Sequence, residues 1–572
     1  MIRTRVGALI AATAIIAAAC SSSSTSTAPS APPDAGTPAP STAPTAAPTV
    51  DPNAIKTGGT LVVAIPSELS RTDSALVDDG GSIYVLQNVM EMLVQLEQGS
   101  GSEIIPALAE SWTISDDGLT YTFKIRQGVK FHDGTDLDAA AVKFNFDRWL
   151  NIPDSYIEQG YTYYIDTVIG KGEGANIVAT SAPDPTTFTL TLARPNSAFL
   201  VTMTLAVFGI ASPTALEAGN ASNPDFSQNT YATGGTPAAV GTGPFIFKEW
   251  IVGDHITLDK NPDYWNAAAG GPYLDSVTIR PIADSTATVN ALQAGDIDIA
   301  QIFAPNDIPF VLADSNLQYF DRGSACNVGV LSMNHKQKPF DNALIRRAVG
   351  HAINRPAIRD AFFGDTGVDP KNWTPPGTLF AVDQELPDYD PQKAKDLIAE
   401  SGVTDLSFEF WYPSGVSRPY MPDPKGEFEA MLTDLEAVGF KPKPMTAPWN
   451  PDYLTAEAVG DYPMWIIGWN CDWLGIDNFL VTAFFGYQSG EPNKEYAYKN
   501  DAMNAAMEAA LAAIDPTVQA AEWLKAQNFM AEDMPSLPIV SAKTPSAGQT
   551  YVKGFIPGPT QFELFTNVWL DK

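Results

Sequence analysis

The sequence predicts a mixed α/β protein built as two lobes or as about three domain-sized units, and three observations carry that reading. The chain has 572 residues, more than one hydrophobic core ordinarily serves. Apolar residues make up 45% and aromatics 10%, enough to fill such cores. Strand-like and helix-like periodicities succeed one another along the chain without an internal repeat.

The N-terminus reads as an address. Arg3 and Arg5 precede the apolar run 6–19, which is short of the about 20 residues that span a bilayer and suits a secretory signal peptide over 1–19. The run ends Ala17-Ala18-Ala19-Cys20. Small residues before a cysteine resemble the lipobox of bacterial lipoproteins, although Ala17 stands where leucine is usual. That resemblance implies lipidation of the Cys20 thiol. Residues 20–57 are almost wholly Ser, Thr, Ala and Pro, a composition that forms no core and behaves as a semi-extended tether.

Folded sequence opens at Gly58-Gly59. Leu61–Ile65 is a continuous apolar run closed by Pro66, as in a buried strand. The spacing over 83–96 predicts an amphipathic helix. Tyr121, Phe123 and Ile125 alternate with Thr122, Lys124 and Arg126, which predicts a strand with one wet face. Residues 139–150 predict a helix with Thr135 or Asp138 as its cap, and 187–192 alternate as a strand. Gly241-Thr242-Gly243-Pro244-Phe245 is a glycine-rich turn into a strand over 245–250; it lacks the Gly-Lys-Ser/Thr ending of a phosphate loop. Asp341 is placed to cap a helix that carries Leu344, Ile345, Ala348, Val349, Ala352 and Ile353 on one face. Helices are also predicted over 391–401 and 427–438, each ahead of a strand-like segment.

Charge and motifs narrow the chemistry. A net charge of −32 repels phosphates, so a nucleic-acid partner is not expected. Cys20, Cys326 and Cys471 are too far apart in sequence for a zinc ribbon or a CxxC redox pair. His132, His255, His335 and His351 are scattered, with no second ligand at metal spacing, so neither metal nor cofactor is expected. No GxSxG or HExxH is present, and catalysis is not expected.

Five blocks in order sharpen the reading: PALAESWTISDDGLTYTFKIRQGVKFHDGTDLDAAAVKFNF over 106–146, GTGPFIFKEWIVGDHITLDKNPDYW over 241–265, NALQAGDIDI over 290–299, PFDNALIRRAVGHAI over 339–353 and DPQKAKDLIAESG over 390–402. Through them the chain over 58–572 resembles the family 5 extracellular solute-binding proteins of peptide, nickel and sugar ABC importers, most closely the oligopeptide- and dipeptide-binding members. The resemblance implies a two-lobed periplasmic-binding-protein fold of type II with an extra inserted α+β domain. Lobe I would comprise 58–90, 213–325 and 543–572, the inserted domain II 91–212, and lobe III 326–542. It also implies a monomeric receptor, extracytoplasmic and held to the membrane only by its lipid anchor. Such a receptor would deliver solute to the permease and ATPase subunits of an importer.

The segment over 465–479, WIIGWNCDWLGIDNF, places Gly468-Trp469 ahead of Asp472. It resembles a stretch of peptide-binding members in which an aspartate at the matching position binds the ligand's α-ammonium group. The resemblance assigns that role to Asp472, where a carboxylate and an ammonium would form a charge-assisted hydrogen bond. Trp469 and Trp449 match pocket tryptophans of those relatives, with Asn470 and Cys471 beside Asp472 in the same stretch. Either tryptophan would serve equally well in a core, and Asp472 equally well on a loop. Tyr156, Tyr161, Tyr163 and Tyr164 are expected to form a rim. Cys326 and Cys471 fall at or next to positions bridged in some relatives, which implies a disulfide worth roughly 4–5 kcal/mol on chain-entropy grounds. Oligosaccharides and nickel chelates are the alternative solutes of the same type of receptor.

Overall fold

The structure, a computed structural model, describes residues 55–99, 103–158, 162–172, 175–302, 304–483, 492–558, 560 and 562–572. The expected signal peptide, Cys20, most of the tether and Tyr161 lie outside the described residues.

The apolar run near the start forms the central strand Thr60–Ile65 of a seven-stranded sheet. It pairs in parallel with Ser276–Pro281 on one side and Ile299–Gln301 on the other. Leu61, Val63, Ala64 and Ile65 are all buried, as a strand covered on both faces requires. His255–Lys260 and Phe245–Ile251 extend the sheet past Ser276–Pro281. Ser546–Gln549 and Leu317–Phe320 extend it past Ile299–Gln301, all antiparallel.

A second, four-stranded antiparallel sheet is built from Ala109–Ile114, Thr120–Ile125, Thr187–Leu192 and Ile177–Asp184, in that order. Tyr121, Phe123 and Ile125 point inward and Lys124 outward, as the alternation predicts. Helix Ala139–Leu150 packs on this sheet, capped by the Asp138 carboxylate, which accepts from the Ala141 amide at 2.8 Å. The apolar residues under this sheet run on into those of the seven-stranded sheet as one core.

A six-stranded sheet, ordered Gly367–Val368, Ser536–Ala542, Asn327–Met333, Met464–Asn470, Ser407–Ser414 and Lys441–Pro448, has a separate core drawn from residues 326–542. Asn327–Met333 and Ser536–Ala542 are buried at every position, so the middle of this sheet is covered on both faces. The chain is therefore a two-lobed α/β protein.

Two elements differ from expectation. The helix read over 83–96 ends early, spanning Gly80–Leu86, and the chain turns before the short strand Val94–Leu96. The carbonyls of Asn88 and Val89, which a continuing helix would have used, accept from the amides of Phe245 (3.2 Å) and Gly243 (3.0 Å). The approach is so close that a Cβ on Gly241 would lie 2.2 Å from the Val89 oxygen. The helix read after Asp341 begins one residue later. Asn342 is its cap, its side-chain oxygen accepting from the amides of Leu344 and Ile345 at 2.9 and 3.4 Å, and the helix is Ala343–Ala352.

The chain crosses from one lobe to the other between Phe320 and Asn327 and returns between Ala542 and Ser546. The crossings are tied together. Asn327 Nδ2 donates to the Ala542 carbonyl at 2.7 Å, and the Ala542 amide donates to Asn327 Oδ1 at 2.9 Å. Arg322 Nε donates to the Thr544 carbonyl at 2.9 Å, while its Nη atoms reach the Gly558 carbonyl and the Glu563 carboxylate. Both side chains of that ion pair are 1% exposed. Glu563 in turn accepts from the Gly558 amide at 2.6 Å, and its own carbonyl accepts from Asn88 Nδ2 and Gln87 Nε2, each at 2.9 Å.

Removing one partner of a buried ion pair strands the other charge. Glu563→Gln is expected to lower the unfolding free energy by about 3–5 kcal/mol, read from urea denaturation. A loss under about 1 kcal/mol would remove the pair from its place as the tie between the crossings.

Candidate functional site

Next to the crossings lies a cleft open to solvent. One wall comes from residues 87–98, with Thr204, Leu205, Pro244 and Tyr264 beyond it. Ile556, Gly558, Thr560, Phe562, Leu564 and Thr566 also line the space. Arg322 and Glu563 both bond the backbone of Gly558 in that stretch. From the 326–542 segment a single described residue reaches the cleft, and it is Asp472.

Asp472 comes after the strand Met464–Asn470, at the end of the ladder with Asn327–Met333. The glycine ahead of it is required by packing: a Cβ on Gly468 would lie 2.4 Å from the Val328 oxygen and 2.5 Å from the Tyr420 ring. The Asp472 carboxylate is 9% exposed and is held by three neutral donors. Tyr164 Oη donates to Oδ1 at 2.7 Å; Trp469 Nε1 and Asn478 Nδ2 each donate to Oδ2 at 3.0 Å. The Asn478 amide oxygen also accepts from the Asp472 backbone amide at 3.1 Å, locking the loop. Burial pushes the carboxyl from 3.8 up to about 6, against the lowering effect of the three hydrogen bonds. The Tyr164 bond joins the first core to the lobe of 326–542.

A second buried carboxylate, Glu91, lines the same cleft. Its Oε2 accepts from Trp265 Nε1 at 2.7 Å and Thr242 Oγ1 at 2.8 Å, and its Oε1 from Tyr264 Oη at 3.0 Å. Burial raises this group to about 7. Sequence reasoning missed Glu91 because it sat inside an apparent amphipathic helix. The signal was available in the block 241–265, which supplies Thr242, Tyr264 and Trp265 as a ready set of donors.

The remaining expected residues fall in different places. Trp469 reaches Asp472 through its indole nitrogen, and its ring lies 6.0 Å from that of Tyr163. Trp449 stacks on Tyr453 at 5.9 Å and under the Arg418 guanidinium at 5.1 Å, and it is not part of the cleft wall. Asn470 pairs with Asn327 in the ladder, and its side-chain oxygen is buried. Tyr156 is a core residue: fully buried, it donates to the Asn223 carbonyl and accepts from Asn229 Nδ2 at 2.9 Å. Trp473, one residue past Asp472, leaves the core of its own lobe and packs into the core of the other, 1% exposed, with its indole on Asp477 Oδ2 at 2.8 Å. Cys326 and Cys471 are joined, their Cα atoms 5.5 Å apart, a span that a disulfide accommodates. This bridge pins the base of the Asp472 loop to the first crossing.

The chain is similar to known proteins. The family described as bacterial extracellular solute-binding proteins, family 5 Middle, matches residues 103–491. Heme-binding protein A of Haemophilus influenzae is 30% identical over 516 residues, covering 87% of this chain and 90% of its own. Glutathione-binding protein GsiB of Salmonella typhimurium is 30% identical over 502 residues, covering 86% and 91%. The structure of the periplasmic binding protein DppA from Helicobacter pylori in complex with the peptide STSA superposes with a TM-score of 0.77 at 28% identity, covering 90% of this chain and 99% of that one.

Because the folded state holds the Asp472 proton more tightly than the unfolded chain does, this group's contribution to stability is lost as pH rises from about 4 through about 6. Asp472→Asn is expected to reduce the fall in unfolding free energy across that window, measured by urea denaturation at several pH values. An unchanged slope would show that Asp472 does not titrate there. For the cysteines, thiol titration of the denatured Cys20→Ser chain is expected to find no free thiol before reduction and two after it. Two thiols from the outset would mean that Cys326 and Cys471 are reduced.

Proposed function

The chain belongs to the bacterial extracellular solute-binding proteins of family 5, and on that premise we propose that it captures short peptides by their α-ammonium group. In coarser terms it is the substrate-binding protein of an ABC importer for peptides or related ligands, working outside the cytoplasm. Its relatives are transport receptors and not enzymes.

The observation that carries the peptide reading is Asp472: a carboxylate from one lobe, buried at the wall of a cleft formed by the other, fixed by neutral donors and without an ion-pair partner among the described residues. Three of the about four acceptor positions of a carboxylate are used, which leaves Oδ1 able to accept from a ligand. An ammonium bound there would form a charge-assisted bond in a site that excludes water from most of the carboxylate. An oligosaccharide would ask for aromatic faces, yet Tyr264 and Phe562 are the only aromatic rings among the described lining residues. A nickel chelate has no support from a metal-binding cluster among the described residues.

In the same reading Cys20 is the lipidated first residue of the mature protein. The tract 20–57 tethers the receptor near its permease, where a short leash raises the effective concentration. Ligand passes from the cleft to the permease, which the ATPase subunits of the importer drive.

Calorimetry of the full chain, stripped of bound ligand by unfolding and refolding, tests the proposal with pools of tri- to pentapeptides bearing free or acetylated N-termini. Micromolar or tighter binding of free peptides is expected, lost on acetylation and weakened at least about tenfold by Asp472→Asn. Equal binding of both pools would remove the ammonium contact; binding of neither would remove peptides as the solute.

A further inference from the structure

Asp472 is one of three carboxylates on a cleft that holds no positive charge of its own. Among the described lining residues, Asp472, Glu91 and Glu97 are acidic, and none is Lys, Arg or His. Asp472 and Glu91 are buried and caged alike. Each accepts one indole N–H, one tyrosine O–H and one further neutral donor, and each keeps about one acceptor position unused. Neither forms an ion pair among the described residues. Arg126, whose guanidinium lies 4.4 Å over the Trp265 ring, acts on Glu91 through space.

From this we propose, building on the peptide reading above, that the cleft selects peptides carrying a second positive charge, with Asp472 taking the α-ammonium group and Glu91 a lysine or arginine side chain. The physical argument is one of compensation. A buried carboxyl dressed only in neutral hydrogen bonds is held in place with no counter-charge; burial makes its ionisation costly, and an arriving cation with good geometry both favours the ionised form and pairs with it. Two such carboxylates in one cleft match a dication better than a single ammonium. A ligand carboxylate would meet three acidic side chains and no cation among the described lining residues, so acidic side chains are disfavoured and a C-terminus must lie clear of this wall. That disfavours the shortest peptides and favours tripeptides or longer. Gln87, Gln95 and Gln98, on the same wall as Glu91, supply uncharged donors and acceptors for the peptide backbone. The chain's charge of −32 acts in the same direction by attracting cations, within the about 8 Å over which salt leaves the field effective.

The test uses the full chain, stripped of ligand, and three tripeptides that differ at the middle position: Ala-Lys-Ala, Ala-norleucine-Ala and Ala-Glu-Ala. Calorimetry is expected to show the lysine peptide binding at least about tenfold more tightly than its norleucine isostere, with the glutamate peptide weakest. Glu91→Gln is expected to bring the lysine-to-norleucine ratio close to one, a ratio that is unaffected by any loss of active protein. Should that variant fail to fold, ornithine and diaminobutyrate peptides on the unaltered chain replace it, and the preference must fade as the ammonium is drawn away from Glu91. Equal affinity for lysine and norleucine peptides overturns the proposal and leaves the peptide reading standing. A lysine preference that survives Glu91→Gln intact overturns the assignment to Glu91. Failure of every peptide to bind sinks the peptide reading, and this proposal with it.

Discussion

The chain passes twice between two hydrophobic cores that do not merge, and the buried pair of Arg322 with Glu563 sits where both passages meet. Backbone that leaves one sheet before joining the next loses its ladder partners and must find others. Arg322 serves the Thr544 and Gly558 carbonyls, and Asn327 serves both polar groups of Ala542. A guanidinium suits this place because its donors lie in one rigid plane and remain charged when buried. Taking two charges out of water is costly, so the pair specifies an arrangement more than it adds stability. That arrangement includes the cleft-lining stretch around Gly558, whose backbone bonds both Arg322 and Glu563.

The cleft treats charge in the opposite way. Where the crossings pair acid with base, Asp472 and Glu91 are given only neutral donors, which fix their rotamers without cancelling their charge. Burial then makes ionisation harder, and a bound cation makes it easier again. Trp469 and Asn478 belong to the same lobe as Asp472 and hold its carboxylate without help from the other, which limits the side-chain entropy that binding would cost.

Much of the scaffold was legible because its signals are local. Residues 139–150 and 187–192 carry the periodicities of a capped helix and a half-buried strand, and the structure forms them there. The helix expected over 83–96 failed for a non-local reason, since a glycine-rich turn about 150 residues later takes the carbonyls that the helix needed. Asn342 displaced Asp341 as a cap because neighbouring residues of similar chemistry compete for one position. At the site, Asp472 stood out only through a family resemblance carried by Gly468-Trp469 and the loop after them. Periodicity does not mark a lone acid in a loop. Glu91 and its donors come from segments far apart in sequence, and only the fold brings them into one cage. Trp449 matched a pattern but was placed in an aromatic stack of its own lobe.

Trp473 couples the loop after Asn470 to the far lobe. Its indole is seated in the core of the opposite lobe, one residue from Asp472 on the cleft wall. Any movement that carries this loop away from that lobe withdraws the ring and exposes up to about 200 Å² of largely apolar surface, a cost approaching about 5 kcal/mol. The ring thus ties the position of Asp472 to the contact between the lobes.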